Sequence, residues 1–361
     1  MRPVVMRLRT AAGLGALFAL LASGCSTSSS ASDNPTRQAQ AEARDFLRDY
    51  VQPDGEVVRF DQGGDTVSEG QAYAMLLSVA AGDRDTFERT WRWAVTHLQR
   101  PDGLLAWQYA GGKVIDPQPA SDADLLAAWA LDLGARRFAA PAYEIDSQRV
   151  REGILTTEVA GSVLVAGPWA VQPMTINPSY WTPAAMDRFA RLDPRWAPVA
   201  AAMPGLIDAA TDSGRRLPPD WGTASVALTG VTITPTPLPS GAGSIQYSLD
   251  AARLPVWTAT SCQPAVRARA ASLRPLIGTD PATAAIAPRN LDGTPASSDR
   301  QPLALVAAAA AAGAGGDTAT RDRLLDAATQ LADELPGYYA KAWAALGRVL
   351  LQTSLLEDCS S

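Results

Sequence analysis

The strongest constraint on this chain is a helical periodicity that returns twelve times. Apolar residues at three- and four-residue spacing predict helices near 36–51, 68–81, 84–99, 121–138, 142–158, 182–191, 195–211, 249–260, 264–274, 301–313, 318–335 and 338–356. No segment between 36 and 361 has the composition of a linker. A dozen helices with short connections pack as pairs closing into a ring, and loops from one end of such a ring build a groove. The alanine run Ala307 to Ala312 suits a helix pressed closely against its neighbours. Residues 214–246 break the pattern. Ala224 to Leu228 and Val231 to Thr234 read as short strands between Pro and Gly signals. Leu104 to Tyr109, followed by Gly111-Gly112, reads as another small hairpin. The expectation is an all-α chain with a small strand-containing insertion, in one domain over residues 36–361.

Ahead of that domain the sequence has the character of a processing signal. Arg2, Arg7 and Arg9 precede an apolar run, Ala11 to Ala22, that is too short to cross a bilayer comfortably. Leu21-Ala22-Ser23-Gly24 before Cys25 resembles a bacterial lipoprotein cleavage box, with Leu21 one place early. Residues 1–24 then form a signal peptide, Cys25 carries lipid, and residues 25–35, rich in Ser and Thr, form a flexible stalk. An ordinary secretory signal cut elsewhere is the alternative. Both readings predict an exported protein. Loss of residues 1–24 takes the net charge from −6 to −9, because that segment holds three arginines and no acid. So acidic a chain is a poor partner for nucleic acid. A membrane contact through the lipid on Cys25 is the expected anchor. Cys262 and Cys359 remain, and an oxidising compartment lets them pair if their geometry allows.

The chemistry must come from carboxylates. The single histidine, His97, rules out a multi-histidine metal site and sits in a helical pattern with no Ser or Cys motif beside it, so it reads as a packing or surface residue. No metal and no cofactor are expected. Glu69, in Ser68-Glu69-Gly70-Gln71-Ala72-Tyr73-Ala74-Met75, follows a polar, glycine-rich loop and opens an apolar helix. Such a glutamate is a candidate acid with a raised pKa; the plain alternative is a first-turn acid behind an N-cap Ser68. Asp122 and Asp124 open the helix near 121 and, two apart, cannot share a face, so one could cap while the other meets a cleft. Asp250 lies three residues before Arg253, one helical turn away, where an arginine could orient a carboxylate or a hydroxyl. Asp220 and Trp221 adjoin on a Pro-rich loop. Trp107, Trp181 and Trp221 lie in or beside the segments carrying these acids. Aromatic rings beside carboxylates suit a sugar: the ring covers the C–H face of a pyranose and the acids bond its hydroxyls.

Taken in order and spacing, Ser68 to Met75, Ala120-Ser121-Asp122-Ala123-Asp124-Leu125, Ile176-Asn177-Pro178-Ser179-Tyr180-Trp181 and Asp250-Ala251-Ala252-Arg253 resemble glycoside hydrolase family 8 over about residues 40–350. The resemblance implies an (α/α)6 barrel and inverting hydrolysis of β-1,4-linked glycans. It implies Glu69 as general acid, Asp250 as the base that activates water, and Asp122 as the residue holding the central sugar in a distorted shape. It further implies Arg253 near the base and Trp107, Tyr180 and Trp181 as sugar contacts, with Asp124 counted among the substrate-binding residues. Ala72 and Ala74 stand where the family usually has glycine and would bring side chains close to Glu69, narrowing the groove floor. The expected activity is an endo-β-1,4-glucanase acting on a polysaccharide such as cellulose. The alternatives are a chitosanase, xylanase or lichenase of the same family, a non-catalytic glycan-binding protein keeping the same groove, or a helical-ring enzyme of another class using Asp122 and Asp124 on a metal.

Overall fold

Twelve helices of seven residues or more form among the described residues, one for each predicted pattern. They are α1 (Asp33–Tyr50), α2 (Ser68–Ala81), α3 (Arg84–His97), α4 (Ser121–Arg137), α5 (Pro141–Thr157), α6 (Pro183–Leu192), α7 (Ala197–Thr211), α8 (Arg253–Ala259), α9 (Pro264–Ser272), α10 (Pro302–Ala314), α11 (Thr318–Glu334) and α12 (Tyr338–Gln352). The structure is a computed structural model and describes residues 33–228, 230–357 and 359. The signal segment, Cys25 and most of the stalk therefore lie outside the described residues. The first helix begins at Asp33, inside the stretch expected to be stalk.

Two kinds of helix alternate. In α2 every residue except Glu69 is buried, in α4 Ser121 to Gly134 are buried without a break, and in α10 Pro302 to Ala312 are. A helix apolar on all sides belongs inside. The odd-numbered helices bury one stripe only, as α11 does with Leu324, Leu325, Ala328 and Leu331. The even helices close a ring: α2 packs on α4, α4 on α6, α6 on α8, α8 on α10, α10 on α12, and α12 returns to α2. Each odd helix backs its even neighbour from outside. This is an (α/α)6 barrel. Small side chains let the inner helices approach: at Gly347 of α12 a Cβ would stand 2.5 Å from Val306 of α10.

Strand content goes beyond the two hairpins expected. The strands are β1 (Thr66–Val67), β2 (Ala106–Ala110), β3 (Lys113–Pro119), β4 (Val159–Ala160), β5 (Val163–Leu164), β6 (Thr175–Ile176), β7 (Trp221–Ala227) and β8 (Gly230–Thr236). They make three small antiparallel sheets, β1-β2-β3, β4-β5 and β6-β7-β8. Both predicted hairpins, β2–β3 and β7–β8, are present. Each recruits a two-residue strand from elsewhere in the chain, which periodicity cannot reveal at that length. Cys262 and Cys359 form a disulfide, their Cα atoms 5.2 Å apart.

Candidate active site

The first turns of α2, α4 and α8 meet at one end of the ring. They bring Glu69, Asp122 and Arg253 together, and Asp250 arrives on the turn just ahead of α8. Arg253 is the hub. Its Nη1 donates to Glu69 Oε2 at 2.8 Å, to Asp122 Oδ2 at 2.8 Å and to the Tyr73 hydroxyl at 3.2 Å. Its Nη2 donates to Asp250 Oδ1 at 3.0 Å. The guanidinium carbon lies 5.4 Å from the centre of the Tyr180 ring. Covalent geometry fixes the two guanidinium nitrogens about 2.3 Å apart, so the bonded oxygens of Glu69 and Asp250 are at most about 8 Å apart. The Arg253 and Asp122 side chains are only 2% and 6% exposed, whereas Glu69 keeps 20% and Asp250 34%. The floor is thus sealed, and the two acids above it reach solvent.

Three carboxyl groups around one buried cation cannot all ionise cheaply. Burial raises Glu69, and the negative charges of Asp122 and Asp250 add to it, so its pKa is pushed up to about 7 despite the nearby Arg253 and Arg59 guanidinium groups. Burial also raises Asp122, against the charge and hydrogen bond of Arg253. Glu69 is therefore placed to hold a proton near neutrality.

The motif around Glu69 divides its labour. Gln71 is wholly buried; its Oε1 accepts from the Val57 N–H at 2.7 Å and its Nε2 donates to the carbonyls of Gly55 and Thr90. Those bonds fix the loop that precedes the helix. At Gly70 a Cβ would stand 2.8 Å from the Tyr338 hydroxyl, so glycine lets α12 close on α2 beside the acid. Ser68 makes no capping hydrogen bond; Val67 occupies the N-cap position and α2 starts uncapped by any side chain. The polar loop is held by Asp65, which accepts from Arg59 Nε at 2.8 Å and Gln108 Nε2 at 2.8 Å. Gln108 lies on β2 opposite Val67, so the β1–β2 pairing brings half-buried Trp107 next to the start of α2.

Four expectations need correction. Trp181 is completely buried, and its Nε1 donates to the Leu164 carbonyl at 3.0 Å, so it packs the core and meets no sugar; its neighbour Tyr180 keeps a partly open ring. Asp124 is also fully buried. Its Oδ1 accepts from the Leu105 N–H at 2.8 Å, which fixes the chain two residues before Trp107. It holds the scaffold and cannot touch substrate. Burial lifts its carboxyl well above the usual range, as it does the neighbouring Glu158. Neither Asp122 nor Asp124 caps α4: Ala120 is the N-cap residue and makes no side-chain bond. Ala72 and Ala74 are buried in the core and do not narrow a groove. His97 stacks on Trp93 with ring centres 4.5 Å apart and packs there.

Sequence reasoning missed three participants. Tyr73 stood in the quoted motif, one helical turn after Glu69, without a role; its hydroxyl meets Arg253. Asp220 was noticed beside Trp221 and left unassigned. Trp169, 43% exposed, lies 6.3 Å from Trp221, which in turn lies 6.0 Å from Tyr180, so three rings run from the site outwards. Trp169 sits in a single turn, Pro168–Ala170, that no periodicity marks. A cavity of about 670 Å³ opens elsewhere, at the C-terminal ends of α8, α10 and α12 beside the disulfide, and none of the site's acids lines it. Among the described residues no group of three or more His, Cys, Asp or Glu is placed to hold a metal ion.

Comparison with known proteins agrees with this geometry. The family model of glycosyl hydrolases family 8 matches residues 14–351. A probable endoglucanase of Novacetimonas hansenii is 35% identical over 231 residues, 59% of this chain and 64% of that protein. An endoglucanase of Pseudomonas fluorescens (strain SBW25) is 34% identical over 178 residues, 44% of each chain. The matched stretch spans less than two thirds of the length of both relatives. Among solved structures, endo-beta-1,4-glucanase CMCax from Acetobacter xylinum superposes with a TM-score of 0.69 at 27% identity, covering 86% of this chain and 97% of that one. The beta-1,3-1,4-glucanase from Paenibacillus sp.X4 gives a TM-score of 0.76 over 90% of this chain and 92% of its own, and at 18% identity that likeness speaks for the fold alone. With a barrel of paired helices, a carboxylate cluster at one end of it and a family match across almost the whole described length, this chain belongs to glycosyl hydrolases family 8.

Proposed function

We propose that the protein is an exported glycoside hydrolase that cuts internal β-1,4 bonds of a glucan such as cellulose, with inversion. One observation carries the reading: Glu69 and Asp250 share the Arg253 guanidinium from its two nitrogens and both keep solvent access. Glu69, protonated near neutrality, donates to the glycosidic oxygen. Asp250 takes a proton from a water that attacks the anomeric carbon from the opposite face. The cap of about 8 Å on their separation is compatible with the ~6.5–9.5 Å that leaves room for that water. Asp122, bonded to the same arginine and 6% exposed, takes from the family resemblance the role of holding the central sugar ring distorted through a hydrogen bond. Trp107, Tyr180 and Trp169 supply ring faces along the path of the polymer. The names of the endoglucanase relatives support a β-1,4-glucan.

Export rests on residues 1–24 and on the Cys262–Cys359 disulfide, a bond suited to an oxidising compartment. Lipid on Cys25 then anchors the enzyme to a membrane; labelled fatty acid should enter the wild-type protein and not Cys25→Ser. The activity is tested with Glu69→Gln, which should release no reducing ends from carboxymethyl cellulose and still retain cello-oligosaccharide binding by calorimetry. NMR of the nascent product should show the α-anomer first; a β-anomer would refute Asp250 as base. A parallel panel of lichenan, chitosan and xylan fixes the substrate within the family.

A further inference from the structure

Asp220 has no assigned part in this chemistry, yet its carboxylate is almost fully committed. It is 8% exposed and sits immediately ahead of β7. Its Oδ1 accepts from the Ser248 N–H at 2.8 Å and from the Ala251 N–H at 2.9 Å, and its Oδ2 accepts from the Ser248 hydroxyl at 2.6 Å. Those donors bracket Asp250. Backbone bonds also hold the turn, with Tyr247 exchanging bonds with Arg289 at 2.9 and 2.8 Å and the Ala252 and Arg253 N–H groups donating to the Ser248 and Asp250 carbonyls at 3.0 Å. Beyond the main chain, the Tyr339 hydroxyl donates to the Leu249 carbonyl at 3.2 Å and the side chain of Asp250 accepts from Arg253. Asp220 in turn leads directly into β7. Its N–H donates to the Gln246 carbonyl at 2.9 Å, and β7 pairs with β6, the strand that leads into Tyr180.

We propose that Asp220 is the positioning residue for the base, clamping residues 248–251 so that Asp250 stands at a fixed height over the sugar platform. The inference rests on the glycosidase reading and adds a residue to it. The physical demand is plain. A base must meet its water within hydrogen-bond reach, and a misplacement of about 1 Å can cost on the order of a hundredfold in rate. A solvent-exposed aspartate on a turn has no such precision by itself. Three charge-assisted bonds from a buried carboxylate supply it, and they refer the base to the same sheet that carries the aromatic floor. Burial and the charge of Asp250 push Asp220 up to about 6, so it remains an acceptor through the neutral range.

The test compares Asp220→Ala, Asp220→Asn, Glu69→Gln and Asp250→Ala on cellopentaose and on β-cellobiosyl fluoride, whose leaving group needs no proton. Asp220→Ala should lower kcat by about ten- to a hundredfold on both substrates, with KM within about twofold of wild type. Asp220→Asn, whose amide oxygen still accepts the two N–H bonds, should recover part of the loss. Glu69→Gln should regain turnover on the fluoride, and Asp220→Ala should not. A kcat for Asp220→Ala within threefold of wild type, a change confined to KM, or recovery on the fluoride would each overturn the inference. Should Asp220→Ala fail to fold, Asp220→Asn decides, by whether its kcat falls more than threefold at wild-type thermal stability. A wild type inactive on both substrates defeats the glycosidase reading itself, and a fully active Asp250→Ala defeats Asp250 as the base and with it the role of Asp220. An inactive Asp250→Ala beside a normal Asp220→Ala defeats only the role of Asp220.

Discussion

Arg253 organises the site because it lies within bonding distance of three acids that would otherwise repel one another. Its removal leaves buried carboxylates without compensation, so Arg253→Ala should lose about 3–5 kcal/mol in urea unfolding as well as turnover. Arg253→Lys keeps the charge but loses the fork that reaches Glu69 and Asp250 at once; its kcat should fall while much of the stability returns. The state of Glu69 predicts the pH dependence. With its pKa raised to about 7, the proton of the general acid proposed here is present on the acid side and is lost as pH rises through about 7. The kcat measured from pH 5 to 9 should fall tenfold per unit above that point, and Glu69→Gln should show no such limb. Glu69, Asp250 and Arg253 were legible in the sequence through their motifs. The burial that separates Tyr180 from Trp181, adjacent residues in one motif, was not, because one position along a turn reverses which ring faces the core.

At the scale of elements, the inner helices α2, α4 and α10 are buried almost all round while the outer ones keep a stripe, and this difference was visible as apolar runs in 68–81 and 301–313. What the pattern did not show is where α8 starts. The periodicity predicts a helix from about 249, whereas it begins at Arg253. Asp220 takes the N–H groups of Ser248 and Ala251, and the preceding residues form a turn around its carboxylate. The displaced start is what leaves Asp250 outside the helix and partly exposed. The contact between α2 and α12 is equally local in cause. Gly70→Ala would place a methyl against the Tyr338 hydroxyl beside Glu69. It should cost about 1–3 kcal/mol by overpacking, seen as a lower urea midpoint, with a fall in kcat larger than the change in KM.

For the whole molecule, the site and the disulfide lie at opposite ends of the ring. Cys262 follows α8 and Cys359 follows α12, so the bond ties the C-terminal segment across the end away from the acids. It closes a loop of 97 residues, for which chain entropy gives about 4.7 kcal/mol. The Cys262→Ser, Cys359→Ser double variant should unfold at markedly lower urea and keep wild-type kcat at 25 °C; a lost kcat in the folded variant would show that the two ends communicate. By itself the sequence determined the number of helices, their order and which acids to look for at one site, because helical periodicity and short motifs are local and survive in one dimension. Only the tertiary structure decided that one guanidinium bridges residues 69, 122 and 250, that Asp124 and Trp181 turn inwards, and that the Asp220 carboxylate accepts bonds from either side of Asp250. Those facts depend on distances between segments far apart in the chain, set when the ring closes and burial fixes which side chains lose water.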